Sequence, residues 1–249
     1  MARKLFCQKN RIFYALSVFR LRLNRYLRWN LPGSRYAHEF SARPLKNTIY
    51  THKSLIRRTL GGVDMQLQEN KAVNLSLAAP KINGILIKPG QVFSFWRLAG
   101  KSTRRAGYRE GLVVTADGPG RGIGGGMCQM TNLIYWLVLH SPLTVTERHH
   151  HALDLFQDFG RQVPIGKGPS VFYNYLDFQF KNTTKDTYQL LVRDNGAYLE
   201  GQLRCSRAQP HGYHIREEGQ CFYRENGKYY RYNRVYHEQV DKRSGNLVS

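Results

Sequence analysis

Apolar residues recur at regular spacings along the chain, and these spacings predict where helices begin and end. One helix that is apolar on a single face is predicted near the N-terminus from five residues: Ile12, Leu16, Phe19, Leu23 and Leu27. Residues 35–60 are polar and basic, and we expect a connection with a short helix there. Residues 64–79 predict a second helix, which Pro80 ends.

The middle of the chain alternates between short strand patterns and a stretch rich in glycine. Strands are predicted at residues 85–87, 92–96 and 112–115. Six glycines lie between Gly118 and Gly126, and we expect a loop because glycine weakens regular elements. The apolar pattern that follows predicts a helix over residues 127–140, which Ser141 and Pro142 end.

The last hundred residues favour strands and turns. Strands are predicted at residues 143–148 and 171–184. The segments LLVRDNGAYLEGQL and CFYRENGKYYRYNRVY each place Asn-Gly between apolar or aromatic residues, which is typical of a β-hairpin with a type I′ turn. The whole pattern predicts an α+β fold with one main domain at residues 64–193, which contains a mixed or antiparallel sheet and a helix after a glycine-rich turn. A basic, partly helical extension precedes it at residues 1–63, and a β-hairpin-rich tail follows at residues 194–249.

Composition and charge limit the partners that we expect. The chain has 249 residues, of which 38 are Lys or Arg and 17 are Asp or Glu, so its formal net charge is +21. Such a charge favours polyanionic partners: nucleic acid, an anionic membrane surface or an acidic cell-wall polymer. The sequence contains no aromatic and basic motif of a known nucleic-acid-binding module, so nucleic acid ranks last among the three. The oligomeric state is left open.

The N-terminal segment resembles a targeting signal only in part. Its apolar run at residues 12–19 is bounded by Arg11 and Arg20, which makes it much shorter than the ~20 residues that span a bilayer. More arginines follow where a small-residue cleavage site would lie. We therefore expect a cytoplasmic protein without a transmembrane helix or a signal peptide. Its amphipathic helix either lies on the anionic inner face of the membrane or packs on its own domain.

The start of the helix at residues 127–140 is the strongest candidate for chemistry. Cys128 lies in its first turn and shares a polar face with Asn132 and Tyr135. The unsatisfied amides and the dipole of a helix N-terminus are expected to lower the pKa of this thiol. The preceding glycines allow backbone amides to approach a substrate, so an oxyanion or anion site is predicted from four residues: Gly124, Gly125, Gly126 and Gln129.

The segment ERHHHALD supplies candidate bases for that thiol. On the strand predicted here, alternation places His149 and His151 on one face, with His150 on the other. Glu147, Asp154 or Asp177 is expected to orient the imidazole. The alternative interpretation is a structural cysteine beside a histidine-rich strand that hydrogen bonds hold in place.

Two groups of Cys and His residues are candidate metal sites, but neither has a standard zinc spacing. The first combines Cys128 with His149 and His151. The second is formed by four residues of the tail: Cys205, His211, His214 and Cys221. A disulfide between the two tail cysteines is an alternative to that site. We expect no metal and no cofactor, and the glycine-rich stretch lacks the Gly-Lys-Ser/Thr ending of a phosphate-binding loop.

An ordered set of motifs resembles the VanW family: IKPGQVFSF, AGYREGLVV, GGGMCQMTNLIYWLVLHS, ERHHHAL and LDFQFKNTT. The resemblance covers residues 67–192. The family's glycine triplet, apolar residue and Cys-Gln fall on residues 124–129, and its Glu-Arg-His-Pro-His falls on residues 147–151 with His150 in place of proline. The resemblance implies a role in vancomycin (glycopeptide) resistance, where peptidoglycan precursors are rebuilt, and it names no reaction.

These observations predict an accessory protein of glycopeptide resistance that acts on or binds peptidoglycan precursors. In the enzymatic hypothesis, Cys128 is the nucleophile of an acyl-transfer or hydrolytic site and His149 or His151 is the base. The amides of residues 125–128 and Gln129 then donate to the oxyanion. One alternative is a binding module that holds an anionic wall precursor without chemistry, and a second is a basic nucleic-acid-binding protein.

Overall fold

The computed structural model describes residues 10–33, 35–58, 64–115, 118–150, 168–225 and 227–248. Within them the helices are α1 (Arg11–Asn30), α2 (Met65–Ala78), α3 (Phe95–Ala99) and α4 (Met127–Leu139). The strands are β1 (Glu39–Phe40), β2 (Asn47–Leu55), β3 (Ile85–Ile87), β4 (Val92–Ser94), β5 (Glu110–Thr115), β6 (Gly118–Ile123), β7 (Thr144–Glu147), β8 (Gln179–Lys181), β9 (Tyr188–Asp194), β10 (Tyr198–Cys205), β11 (His211–Glu225) and β12 (Lys228–Asp241).

The largest sheet has five strands in the order β1-β3-β9-β10-β2, and every neighbouring pair is antiparallel. Its strands come from all three predicted segments of the chain. Strands β1 and β2 precede residue 63, and β10 follows residue 193. Helix α4 crosses β10 and β2 closely at Gly201, where a Cβ would lie 2.8 Å from Leu137 and 3.0 Å from Leu133. The apolar face of α4 and the inner face of this sheet form the core, so the α+β prediction is confirmed.

Two smaller sheets complete the part of the fold that positions the candidate site. Strands β4, β8 and β7 form an antiparallel sheet, and β5 pairs with β6. Helix α2 begins after Asp64, whose side chain accepts a hydrogen bond from the Gln66 amide. It is held to β5 by Asn70, which donates to the Glu110 carbonyl at 2.8 Å. These contacts place α2 next to the start of α4.

Three predicted elements were wrong. Residues 47–55 form the edge strand β2 instead of a short helix, because pairing with β10 satisfies their backbone. Part of the expected glycine-rich loop is the strand β6, since pairing with β5 requires backbone groups and no side chains. The strand predicted at 171–184 is reduced to β8, and Phe172–Leu176 closes a turn instead.

Both predicted hairpins are present. The first joins β9 to β10 through residues 195–197, one residue more than a two-residue type I′ turn, and Gly196 has a positive φ (+91°) that favours glycine. The second joins β11 to β12, with Gly227 at φ +76° in its turn. This second hairpin is a long, largely exposed two-stranded sheet of its own.

Candidate functional site

The glycine triplet before α4 permits close backbone packing. Gly124 and Gly126 have φ values of +77° and +101°, which other residues rarely adopt. A Cβ at Gly125 would overlap the backbone of Gly111, and one at Gly126 would overlap the side chain of Lys71. The triplet therefore allows β5 and α2 to approach the N-terminal end of α4 at van der Waals distance.

Several groups that were predicted to donate to a substrate oxygen already have partners within the chain. The amide of Gly124 donates to the Arg109 carbonyl at 2.9 Å, and that of Gly125 donates to the Gly122 carbonyl at 3.1 Å. The Gln129 side chain donates to Ser54 Oγ at 3.0 Å and to the Leu55 carbonyl at 2.8 Å, which fixes α4 to β2. Donation to a substrate from these three residues would require the internal bonds to break.

The thiol of Cys128 packs against the hydrophobic core, although the residue keeps some exposure to solvent. Burial raises the pKa of this thiol, and hydrogen bonds from the backbone amides of Val171 and Cys128 itself oppose the rise only in part. The prediction of a lowered pKa is therefore wrong. Desolvation outweighs these hydrogen bonds, so the thiol is protonated at neutral pH.

The polar face of α4 continues beyond Cys128, as the helical spacing predicts. The Thr131 hydroxyl lies 3.1 Å from the Cys128 carbonyl and 3.3 Å from the Pro169 carbonyl. The Asn132 Oδ1 atom is buried, and none of the described residues forms a hydrogen bond with it. Tyr135 accepts a hydrogen bond from Arg148 at 3.1 Å, and burial raises the pKa of the tyrosine hydroxyl.

The carboxylate that contacts His149 is Glu147, which lies at the end of β7. Glu147 Oε1 is 3.0 Å from His149 Nε2, and both carboxylate oxygens accept hydrogen bonds from the Arg25 guanidinium at 2.5 Å. Burial acts to raise the pKa of Glu147, but the hydrogen bonds from Arg25 and His149 outweigh it and lower the pKa. An ionised Glu147 therefore holds the imidazole through its Nε2 atom. Since β7 ends at Glu147, His149 lies just beyond the strand and not on it.

Asp177 contacts a different set of groups. Its carboxylate accepts hydrogen bonds from Ser94 Oγ at 2.5 Å, from the Trp96 amide at 3.0 Å and from Gln179 Nε2 at 2.9 Å. Burial raises the pKa of Asp177, and these hydrogen bonds oppose the rise. The contacts place Asp177 at the first turn of α3, so it supports the fold beside the site. Its backbone amide donates to Glu147 at 3.0 Å.

One segment, residues 168–171, borders both Cys128 and His149. The Ser170 amide donates to the His149 carbonyl at 2.8 Å, and the Val171 amide donates a hydrogen bond to the Cys128 thiol. The structure therefore brings the cysteine and one of the two proposed histidines to the same region of the molecule. His151 and Asp154 lie outside the described residues.

Lys71 is a residue of the site that the motif analysis missed. It is 8% exposed and packs beside Gly126. Burial, followed by the charges of Arg58 and Arg57, lowers the pKa of Lys71 to about 7. A signal was available in the sequence, because Lys71 shares the helical spacing of the buried residues Leu67 and Leu75. Lysine is almost never buried unless it is paired, so a lysine on the core-facing side of a helix is a candidate functional residue.

Comparison with known families identifies the part of the chain that contains this site. The family model described as VanW like protein matches residues 70–204, more than half of the chain. The chain belongs to the VanW family. The match includes the glycine triplet, α4, β7, β9 and nearly all of β10. The predicted resemblance is therefore confirmed, and it continues beyond residue 192 into β10.

Two relatives show how far the similarity extends. The chain is 33% identical over 223 residues to the vancomycin B-type resistance protein VanW of Enterococcus faecalis, which covers 90% of this chain and 81% of that protein. It is 28% identical over 114 residues to the uncharacterized protein YoaR of Bacillus subtilis, which covers 46% of this chain and 36% of that protein. No solved structure matches the chain.

Neither candidate metal site is supported in the described part of this VanW-family chain. Among those residues, no three His, Cys, Asp or Glu side chains form a group that could hold a metal ion. Cys128, Cys205 and Cys221 are free thiols, so the alternative disulfide between the tail cysteines is absent. Cys205 is buried in the large sheet, whereas Cys221 is exposed on the separate hairpin.

None of the helices in the described ranges is both long enough and apolar enough to cross a membrane.

Proposed function

We propose that this VanW-family chain serves vancomycin resistance by binding an anionic cell-wall precursor at the N-terminal end of α4. The family relationship associates the chain with vancomycin resistance, and the relative from Enterococcus faecalis carries that activity in its name. The observation that carries the proposal is the buried Lys71 beside Gly126.

The electrostatic state of Lys71 favours an anionic ligand. The two charged groups that influence its amine are both cations, Arg58 and Arg57, and they lower its pKa together with burial. A carboxylate or phosphate next to this amine would offset the desolvation and the repulsion, because an opposite charge favours the protonated form. Peptidoglycan precursors carry both kinds of anion. The net charge of +21 would also attract them over longer distances.

A binding experiment with a muropeptide tests this proposal. The Lys71→Met variant keeps an apolar stem in the buried position, so we expect it to fold and to bind the muropeptide at least about tenfold more weakly in isothermal titration calorimetry, a loss of about 1.4 kcal/mol. Lys185→Met, at an exposed position in a loop, is the matched control and should bind as the parent does. Equal affinities of the two variants would contradict the proposal.

A second candidate function is thiol-dependent acyl transfer or hydrolysis, which the contact between Glu147 and His149 favours. The ionised carboxylate holds His149 Nε2–H, so Nδ1 carries the lone pair that would accept the proton of Cys128. The thiolate would then attack a peptide carbonyl of the precursor to form a thioester, and the amine that leaves would take the proton from His149. The raised pKa of the thiol opposes this function unless the substrate changes the environment of the sulfur.

The rate of alkylation distinguishes the two candidates. In a protein whose other cysteines are replaced by serine, the binding function predicts that iodoacetamide modifies Cys128 more slowly at neutral pH than it modifies a model thiol. The enzymatic function requires faster modification, which His149→Ala should slow. A fast, histidine-dependent reaction would move the preference from binding to catalysis.

A further inference from the structure

Helix α1 contacts the body of the protein through its basic face. Arg25 forms the two-pronged ion pair with Glu147, and Arg22 donates to the Tyr173 carbonyl at 3.0 and 2.8 Å. Trp29, one turn after Arg25, is also buried. An amphipathic helix usually packs its apolar face on its domain, so this orientation is the reverse of the common one.

The apolar residues that predicted the helix consequently face solvent. We call these five residues the apolar stripe, and their exposed fractions are 70% for Ile12, 52% for Leu16, 65% for Phe19, 46% for Leu23 and 57% for Leu27. At 100° per residue the stripe is centred about 140° from the face that holds Arg25 and Trp29, and it extends for about 23 Å along the helix. An exposed apolar surface of this kind marks an interaction site.

We propose that the apolar stripe binds the surface of an anionic lipid bilayer, with α1 lying in the plane of the interface. The first 30 residues contain eight Lys or Arg and no Asp or Glu, which complements acidic headgroups. A second copy of the chain on the same stripe would instead bring two such cationic segments together. Arg20 is exposed at the border of the stripe, from where its guanidinium can reach the phosphates while its stem stays in the apolar layer.

The proposed binding also positions the candidate site. Helix α1 lies between the bilayer and Glu147, because its apolar stripe faces outward and its Arg25 holds the carboxylate. The Glu147 and His149 pair would then be about one helix diameter, roughly 10 Å, from the lipid surface. Membrane binding and ligand binding use different residues, so either can fail without the other.

Cosedimentation of the full chain with vesicles tests the proposal. We expect wild-type protein to pellet with vesicles of phosphatidylcholine that contain phosphatidylglycerol and to remain largely in solution with phosphatidylcholine alone. The variant Phe19→Ser with Leu23→Ser should bind the anionic vesicles at least about tenfold more weakly, since both apolar side chains are lost. The matched control, Met65→Ser with Leu247→Ser, removes two other exposed apolar side chains and should bind normally.

Three results would overturn the proposal. The first is equal binding of the stripe variant and the wild-type protein, with circular dichroism showing that both are folded. The second is absence of wild-type binding to anionic vesicles. The third is a dimer in sedimentation velocity that the stripe variant disrupts without lipid, because a second copy would then be the occupant.

Discussion

Replacement of Arg25 by methionine tests the contact that links α1 to the candidate site. The Arg25 and Glu147 side chains are only 9% and 19% exposed, and two hydrogen bonds of 2.5 Å join them. Methionine fills a similar volume but leaves the carboxylate without its main partner. Removal of one member of a buried ion pair costs about 3 kcal/mol, because the remaining charge stays desolvated. For a chain of this size, that loss corresponds to a decrease in melting temperature of roughly 6–12 °C.

The effect should depend on pH in a defined direction. The pKa of Glu147 is lowered in the folded protein, so the ion pair contributes its full stability above the unfolded value of about 4.3 and loses it as pH falls through the folded pKa. We therefore expect the difference in melting temperature between wild-type protein and Arg25→Met to be widest at neutral pH and to narrow below about pH 4. Thermal unfolding followed by circular dichroism from pH 3 to pH 8 measures this difference.

An exposed ion pair on the same protein provides the control. Arg57 and Glu69 are 2.7 Å apart, but their side chains are 40% and 47% exposed, so water screens the pair. Arg57→Met should change the melting temperature little at any pH. Equal losses in Arg25→Met and Arg57→Met would refute the reasoning, because burial would then have no influence on the cost.

The other predictions concern packing and a second pH dependence. Gly125→Ala should lower the free energy of unfolding in urea by about 2 kcal/mol or more, because the new Cβ overlaps Gly111, whereas the control Gly196→Ala has open space and should lose about 1 kcal/mol from its positive φ alone. A similar loss in both variants would argue against tight packing at the triplet. Burial and the charge of His140 lower the pKa of His52, so wild-type protein should lose stability as pH falls below about 6.5, and His52→Phe should lose less over the same range in urea titrations. Parallel pH profiles of the two proteins would show that His52 does not cause the loss.

The elements with strong local signals could be predicted from the sequence. Helices α2 and α4 combine helical spacing with a clear start, and Asn195-Gly196 fixes a hairpin turn. Strand β2 lacks such a signal, because it lies at the sheet edge and contains few apolar residues. Its pairing with β10 joins residues that are distant in sequence.

The site could be predicted only in its parts. Helical spacing correctly placed Cys128 at the start of α4, and one of the three carboxylates expected to orient a histidine, Glu147, contacts His149. The state of the thiol was predicted wrongly, because its burial depends on packing that local sequence does not specify. The ion pair of Arg25 with Glu147 was missed for a related reason, since 122 residues separate the two side chains.

The titration of Lys71 tests the central claim most directly. Nuclear magnetic resonance of labelled lysine side chains, with and without a muropeptide, measures the pKa of this amine. The account predicts a pKa of about 7 in the free protein and an increase of roughly one unit or more in the complex, with affinity that falls as pH rises above 7. A muropeptide that binds while the pKa of Lys71 stays unchanged would contradict the account.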